Sequence, residues 1–241
     1  MKKVLWFFVL TSLILIAYSS YSILGHFNKY QESAKKYEGL KEVYSIVSEK
    51  GSLGREEKSD EDKHELVQIN DDYMGWISIN NTKIDYPVVK GKDNSYYLTH
   101  NFYKEQDFAG AIFMDYRNSA EKLDQHLIVY GHHMKDKSMF GDLPKYTDQA
   151  FFEKNKLIHF DFQGRTYEWE IFSVYVVDST DLLPTEFQSA NEFEEFGSQL
   201  QQKSVISTST MVEEGDHILT LFTCTNVNEL ERMIVHAKLI N

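Results

Sequence analysis

The chain has 241 residues, 42% of them hydrophobic and 14% aromatic, enough to bury the core of one ordinary domain, which excludes a disordered chain. Its 37 acidic and 25 basic residues leave a formal net charge of −12, which excludes a nucleic-acid binder working through clustered Lys and Arg. A single cysteine excludes an intrachain disulfide and makes that thiol either a buried side chain or a working one.

Lys2 and Lys3 precede an uncharged run from Val4 to Gly25, near the ~20 residues a helix needs to span a bilayer. Lysines before the run, with no strong basic cluster just after it, orient the N-terminus inward and the rest of the chain outward. A cleavable signal peptide is the competing reading, with small residues at Ala17, Ser19 and Ser20. No clear A-x-A site follows and the run continues through Tyr21 and Ile23, so residues 1–25 are expected to be an uncleaved anchor. Beyond it, Phe27, Tyr30, Ala34, Tyr37, Tyr44 and Val47 recur at spacings of three, four and seven, which predicts an amphipathic helix. Gly51 to Glu65 is polar and charged and reads as a linker. Residues 26–65 are thus helix plus linker, and 66–241 one compact domain.

From Trp76 onward short runs rich in Val, Ile, Tyr and Phe alternate with turn residues: Trp76–Ile79, Ile84–Val89, Ala111–Met114, His126–Tyr130, Leu157–Phe162, Thr166–Val177, His217–Cys224 and Met233–Ile240. This spacing predicts a β-barrel or sandwich, mostly antiparallel, with Asn80-Asn81 and Gln163-Gly164 as hairpin turns. Helices are expected near Asn94–Leu98, near Thr147–Asn155, and over Glu192–Gln202 with Phe193, Phe196 and Leu200 on one face.

Cys224 closes one run and Arg232 opens the next, so a hairpin through the polar stretch Thr225–Glu231 makes them spatial neighbours. A fixed cation stabilises a thiolate and can receive the charge developing on a carbonyl oxygen under attack. His132 and His133 follow the end of another run, and a thiol nucleophile needs an imidazole to take and supply protons; the residues alone do not choose between the two. Sequence alone does not say whether that strand end is the same one. A metal site at His132, His133 and Met134 is disfavoured, because adjacent side chains rarely share an ion and no ligand spacing accompanies them. His100, His126, His159, His217 and His236 read as strand or loop histidines.

Thr220-Leu221-Phe222-Thr223-Cys224 resembles the T-L-x-T-C signature of sortases, Tyr130-Gly131-His132-His133-Met134 resembles their histidine segment, and Arg232 stands where their arginine does. The N-terminal anchor and helix, the stretch Ile84–Asn94 and the long insertion between Asp178 and Val212 are most similar to class B. The resemblance implies a mostly β fold, an eight-stranded sortase β-barrel with an N-terminal helix and a helix in the long loop before the last strands. It implies a membrane-anchored, extracellular cysteine transpeptidase with Cys224 as nucleophile, His132, favoured over His133 by family position, as acid/base and Arg232 as oxyanion stabiliser. It needs no cofactor. Cys224 would attack the Thr carbonyl of an N-P-x-T-x-like sorting motif on a secreted protein, and a peptidoglycan cross-bridge amine would resolve the thioacyl enzyme. Asn94, Leu98, Thr180, Leu182 and Thr223 are the matching substrate-groove positions. Phe222 departs from the Ser common at the variable motif position, and Thr225 replaces an acidic residue seen in some members. A pilin-polymerising sortase, a cysteine protease and a non-enzymatic anchored peptide-binding module are the alternatives.

Overall fold

The computed structural model describes residues 2–52, 60–177, 183–224 and 232–241. They fall into two compact units, Met1–Gly39 and Leu40–Asn241. The first is purely helical. Helix α1 (Lys2–Ser52) fills it and continues into the second unit, so the apolar run and the periodic stretch that follows it form one helix. Nothing along them stops a helix, since the stretch holds no proline and Gly25 and Gly39 each cost only about 1 kcal/mol. Trp6, Leu15 and Ile23 are 72%, 65% and 68% exposed, and the helix is long and apolar enough to cross a membrane. This composition is compatible with a membrane anchor.

In the second unit α1 ends and helix α2 (Asp60–Ile69) follows. The expected linker Gly51–Glu65 is therefore corrected at its end: residues 60–65 are helical, and 53–59 lie outside the described residues. Polar composition alone does not separate a helix from a loop, and among the described side chains of α2 Leu66 is the one buried apolar anchor. Leu40 is fully buried, and Tyr44 stacks on Trp76 at 4.2 Å while its hydroxyl donates to Asp161.

The eight strands are β1 (Tyr73–Ser78), β2 (Asp85–Val89), β3 (Ile112–Met114), β4 (His126–His132), β5 (Leu157–Phe162), β6 (Arg165–Val177), β7 (Ile218–Cys224) and β8 (Arg232–Leu239). They close a barrel in the order β1-β2-β3-β4-β7-β8-β6-β5. Each matches one of the eight apolar runs, as β-branched and aromatic side chains favour a pleated, half-buried surface. The pairs β2–β3 and β4–β7 are parallel, the others antiparallel. Gln163 and Gly164 both have positive φ, 52° and 77°, the geometry of a tight hairpin between β5 and β6.

Helix α3 (Gln149–Lys154) is capped by Asp148, and helix α4 (Ala190–Lys203) lies in the long β6–β7 connection. Ser189 caps α4 by accepting from the Glu192 N–H at 3.2 Å, and the Glu192 carboxylate accepts from the Gln188 N–H at 2.7 Å. The buried Phe193 and Leu200 of α4 pack with Ile128, Tyr175, Ile218, Phe222 and Ile234 from β4, β6, β7 and β8. Phe196 packs at the margin of the same cluster. Truncating Phe193 to alanine would cost about 3–5 kcal/mol, so this cluster fixes the insertion to the sheet.

Candidate active site

The histidine and the cysteine meet because β4 and β7 are parallel neighbours. Their register runs from His126 opposite Ile218 to His132 opposite Cys224, so both strands end together, with backbones about 4.8 Å apart. The strand end that sequence left open is the shared one. On the other side of β7 the antiparallel register with β8 reaches Phe222 opposite Ile234, and continuing it by two residues brings Cys224 abreast of Arg232. Where that backbone pairing stops, the Thr223 hydroxyl accepts the Met233 N–H at 2.8 Å and lies 3.3 Å from the Met233 carbonyl. Thr223 is thereby buried and its hydroxyl is committed to the hairpin.

His132 is 7% exposed, and its Nε2 lies 2.6 Å from the Leu98 carbonyl. A carbonyl only accepts, so Nε2 carries a proton and Nδ1 is the remaining nitrogen. Nδ1 is buried and has no hydrogen-bond partner among the described residues. The Leu98 carbonyl is itself fixed. Leu98 is the last residue of a short 3-10 turn, Tyr96–Leu98, ahead of which the Asp93 carboxylate accepts from the N–H groups of Ser95 and Tyr96. The Ala111 N–H donates to the Tyr97 carbonyl at 3.0 Å. Gly110 makes this approach possible, since it has φ +59° and a Cβ there would lie 2.5 Å from the Tyr97 oxygen.

Gly131 serves a similar purpose beside the histidine. A Cβ on it would lie 2.4 Å from Ile112 Cδ1 and 2.8 Å from Phe140 Cδ2. The His132 carbonyl in turn accepts the Phe140 N–H at 3.0 Å.

Asn94 is half-buried. Its amide donates to Asp115 Oδ2 at 3.1 Å and its Oδ1 accepts the Tyr116 N–H at 3.0 Å. Asp115, wholly buried, is a hub that sequence reasoning missed. It accepts two bonds from the Arg117 guanidinium at 2.9 and 2.8 Å and one from the Tyr130 hydroxyl at 2.8 Å. Burial alone would raise its carboxyl, but the Arg117 bonds and the Tyr130 hydroxyl outweigh that and hold it below the usual carboxylate range. Arg117 Nη1 also donates to the Leu183 carbonyl at 3.0 Å, tying β3 to the segment leading into α4. The only sequence signal for this hub was an Asp directly ending an apolar run, followed two residues later by Arg. Thr180 and Leu182 lie outside the described residues, as does the stretch Thr225–Glu231.

A second polar chain threads β4, β7, β8 and β6 further down the sheet. His126 Nδ1 lies 2.6 Å from the Pro184 carbonyl and Nε2 2.7 Å from the Thr220 hydroxyl. Thr220 Oγ1 is 2.7 Å from His236 Nδ1, whose Nε2 lies 3.0 Å from the Tyr175 hydroxyl. With neutral rings the direction is unique. His126 donates to Pro184, Thr220 donates to His126, His236 donates to Thr220 and Tyr175 donates to His236. Burial lowers His126 to about 4 and pushes His236 well below the usual histidine value, while it raises Tyr175 to about 12.

The Sortase domain family matches residues 77–240. Sortase B of Listeria monocytogenes is 42% identical over 180 residues, 73% of this chain and 73% of the relative. Sortase B of Staphylococcus aureus is 32% identical over 243 residues, 100% of this chain and 98% of the relative. A solved S. aureus sortase B–substrate complex superposes with a TM-score of 0.82 at 33% identity, covering 88% of this chain and 98% of that one. The chain therefore belongs to the sortase family, within class B, and is a sortase-type transpeptidase.

Proposed function

We propose that the chain joins secreted proteins bearing an N-P-x-T-x-like sorting motif to a peptidoglycan cross-bridge amine through a thioacyl enzyme on Cys224. The single observation that supports this most is the parallel β4–β7 register that pairs His132 with Cys224. In this reading the Cys224 thiolate attacks the Thr carbonyl carbon, and the electron pair of the C=O moves onto oxygen beside the Arg232 guanidinium. The tetrahedral species collapses with cleavage of the C–N bond, and protonated His132 gives its proton to the leaving amine, yielding a Cys224 thioester. The incoming amine attacks that thioester, loses a proton to His132, and leaves a new amide and free Cys224. Asn94 and Leu98, with Thr180, Leu182 and Thr223, are proposed to line or support the motif-binding groove. Both the His132–Leu98 bond and the Asn94–Asp115 bond support the idea that this wall and the catalytic histidine are built as one piece.

Residues 1–25 are proposed as a single-pass anchor, 26–65 as the helix and spacer, and 66–241 as the catalytic domain on the extracellular face. Full-length protein in detergent, incubated with N-P-x-T-x peptides and a small amine, is expected to release the C-terminal fragment and carry a mass adduct on Cys224. Turnover by Cys224→Ala at the wild-type rate refutes the nucleophile. A ratio of hydrolysed to amine-transferred product that stays above one at saturating amine favours the protease alternative.

A further inference from the structure

The guanidinium of Arg232 does not stand free at the strand end. Its Cζ lies over the ring of Phe222, 5.6 Å from the centroid, and Phe222 is only 4% exposed. A cation at that distance from an aromatic face is attracted by the ring quadrupole. The ring is fixed from behind. Tyr130 packs against it at 5.5 Å, Phe113 stacks on Tyr130 at 5.3 Å, and the Tyr130 hydroxyl is held by Asp115 at 2.8 Å. The aromatic row therefore runs from the buried carboxylate hub to the arginine.

The chemistry of the two ways to hold an arginine differs. A carboxylate partner takes the in-plane N–H donors and neutralises the charge. An aromatic partner takes the face of the guanidinium, restrains a side chain with about 2 kcal/mol of rotamer entropy, and leaves the donors available to an oxyanion. No carboxylate pairs with Arg232 among the described residues.

We propose that Phe222, the variable residue inside the T-L-x-T-C segment, is a positioning residue that holds the Arg232 guanidinium ready for the transition state. The proposal rests on the reading of Arg232 as oxyanion stabiliser. It assigns a function to the departure from Ser at this position, since a hydroxymethyl group offers no ring for the cation.

The test is steady-state transpeptidation by full-length protein with a motif peptide and saturating amine. Phe222→Leu is expected to lower kcat about tenfold, with KM within twofold. Phe222→Tyr, which keeps the ring, is expected within twofold of wild type. In the Arg232→Ala background Phe222→Leu should change nothing further, because the group it positions is gone. Phe222→Met serves as the second ringless variant if Phe222→Leu unfolds below the assay temperature. A ringless variant with wild-type kcat overturns the proposal, as does a loss in Phe222→Leu that multiplies with that of Arg232→Ala. Wild-type turnover in Arg232→Ala itself overturns the oxyanion reading, a result separable from a failure at Phe222 alone.

Discussion

Replacing Thr220 with valine keeps the shape of the side chain and removes the one hydroxyl that joins two buried imidazoles. His126 Nε2 then loses its donor and the His236 Nδ1–H its acceptor, in a place both rings share with no solvent. Each orphaned buried group costs about 1–3 kcal/mol, so Thr220→Val is expected to destabilise by about 2–6 kcal/mol. For a unit of this size that lowers Tm by about 4–24 °C. The same chain predicts acid sensitivity. His126 titrates at about 4 when folded and near 6.5 when unfolded, so the unfolded chain binds the extra proton between those values. The stability contribution is whole above pH ~6.5 and falls as pH drops towards 4, with about 2 kcal/mol lost between pH 7 and pH 5. His236, depressed by burial first and by the neighbouring His126 and Lys203 charges, adds to the loss in the same direction. Thermal melts of full-length protein in detergent, followed by circular dichroism at pH 7 and pH 5, measure both effects. A Thr220→Val melt within 2 °C of wild type at pH 7 would refute the network as a stabilising element. A wild-type melt that rises on acidification would refute the assigned neutral rings.

Gly131→Ala must displace both Ile112 Cδ1 and the Phe140 ring, so a stability loss of about 1–3 kcal/mol is expected together with a fall in kcat as His132 is displaced; denaturant melts and turnover check it. Asp115→Asn breaks a buried ion pair and is expected to cost about 3–5 kcal/mol. Because Asn94 loses the same partner, KM for the motif peptide should rise more than kcat falls, read by steady-state kinetics at a temperature where the variant is folded. Deleting residues 2–25 should move the protein from the membrane fraction to the soluble fraction, and retention in washed membranes would contradict the anchor.

The strands were legible because each is a local pattern. Thr166–Val177 and Met233–Ile240 are short runs rich in Val, Ile and other apolar residues bounded by polar or turn segments, the composition of a buried strand. The antiparallel β7–β8 pairing was legible for the same reason, since two runs separated by a short polar stretch form a hairpin. His132 was different. Its meeting with Cys224 depends on a parallel pairing between strands far apart in the chain, and no local pattern encodes which distant edge a strand will choose. Asp115 was missed on other grounds: a carboxylate beside Tyr116 and Arg117 looks like a solvated loop, and only burial reveals three partners converging on it. The helix over 60–65 was hidden by its polarity. Phe222 was visible as a departure from a motif, but its contact with Arg232 required the register of β7 against β8.

The strand order has a consequence for biogenesis. β7 and β8 come last of the eight strands in the chain, yet they lie between β4 and β6. Until that hairpin arrives, β4 and β6 present open edges, the kind of unpaired surface that templates association with other chains. Its insertion both seals the sheet and brings Cys224 opposite His132 in the β4–β7 register, so the proposed catalytic set is assembled by the same event that removes the hazard. A chain whose last hairpin has not yet paired would be sticky, and under the proposed mechanism it would be chemically silent, so maturation of activity would report closure of the barrel.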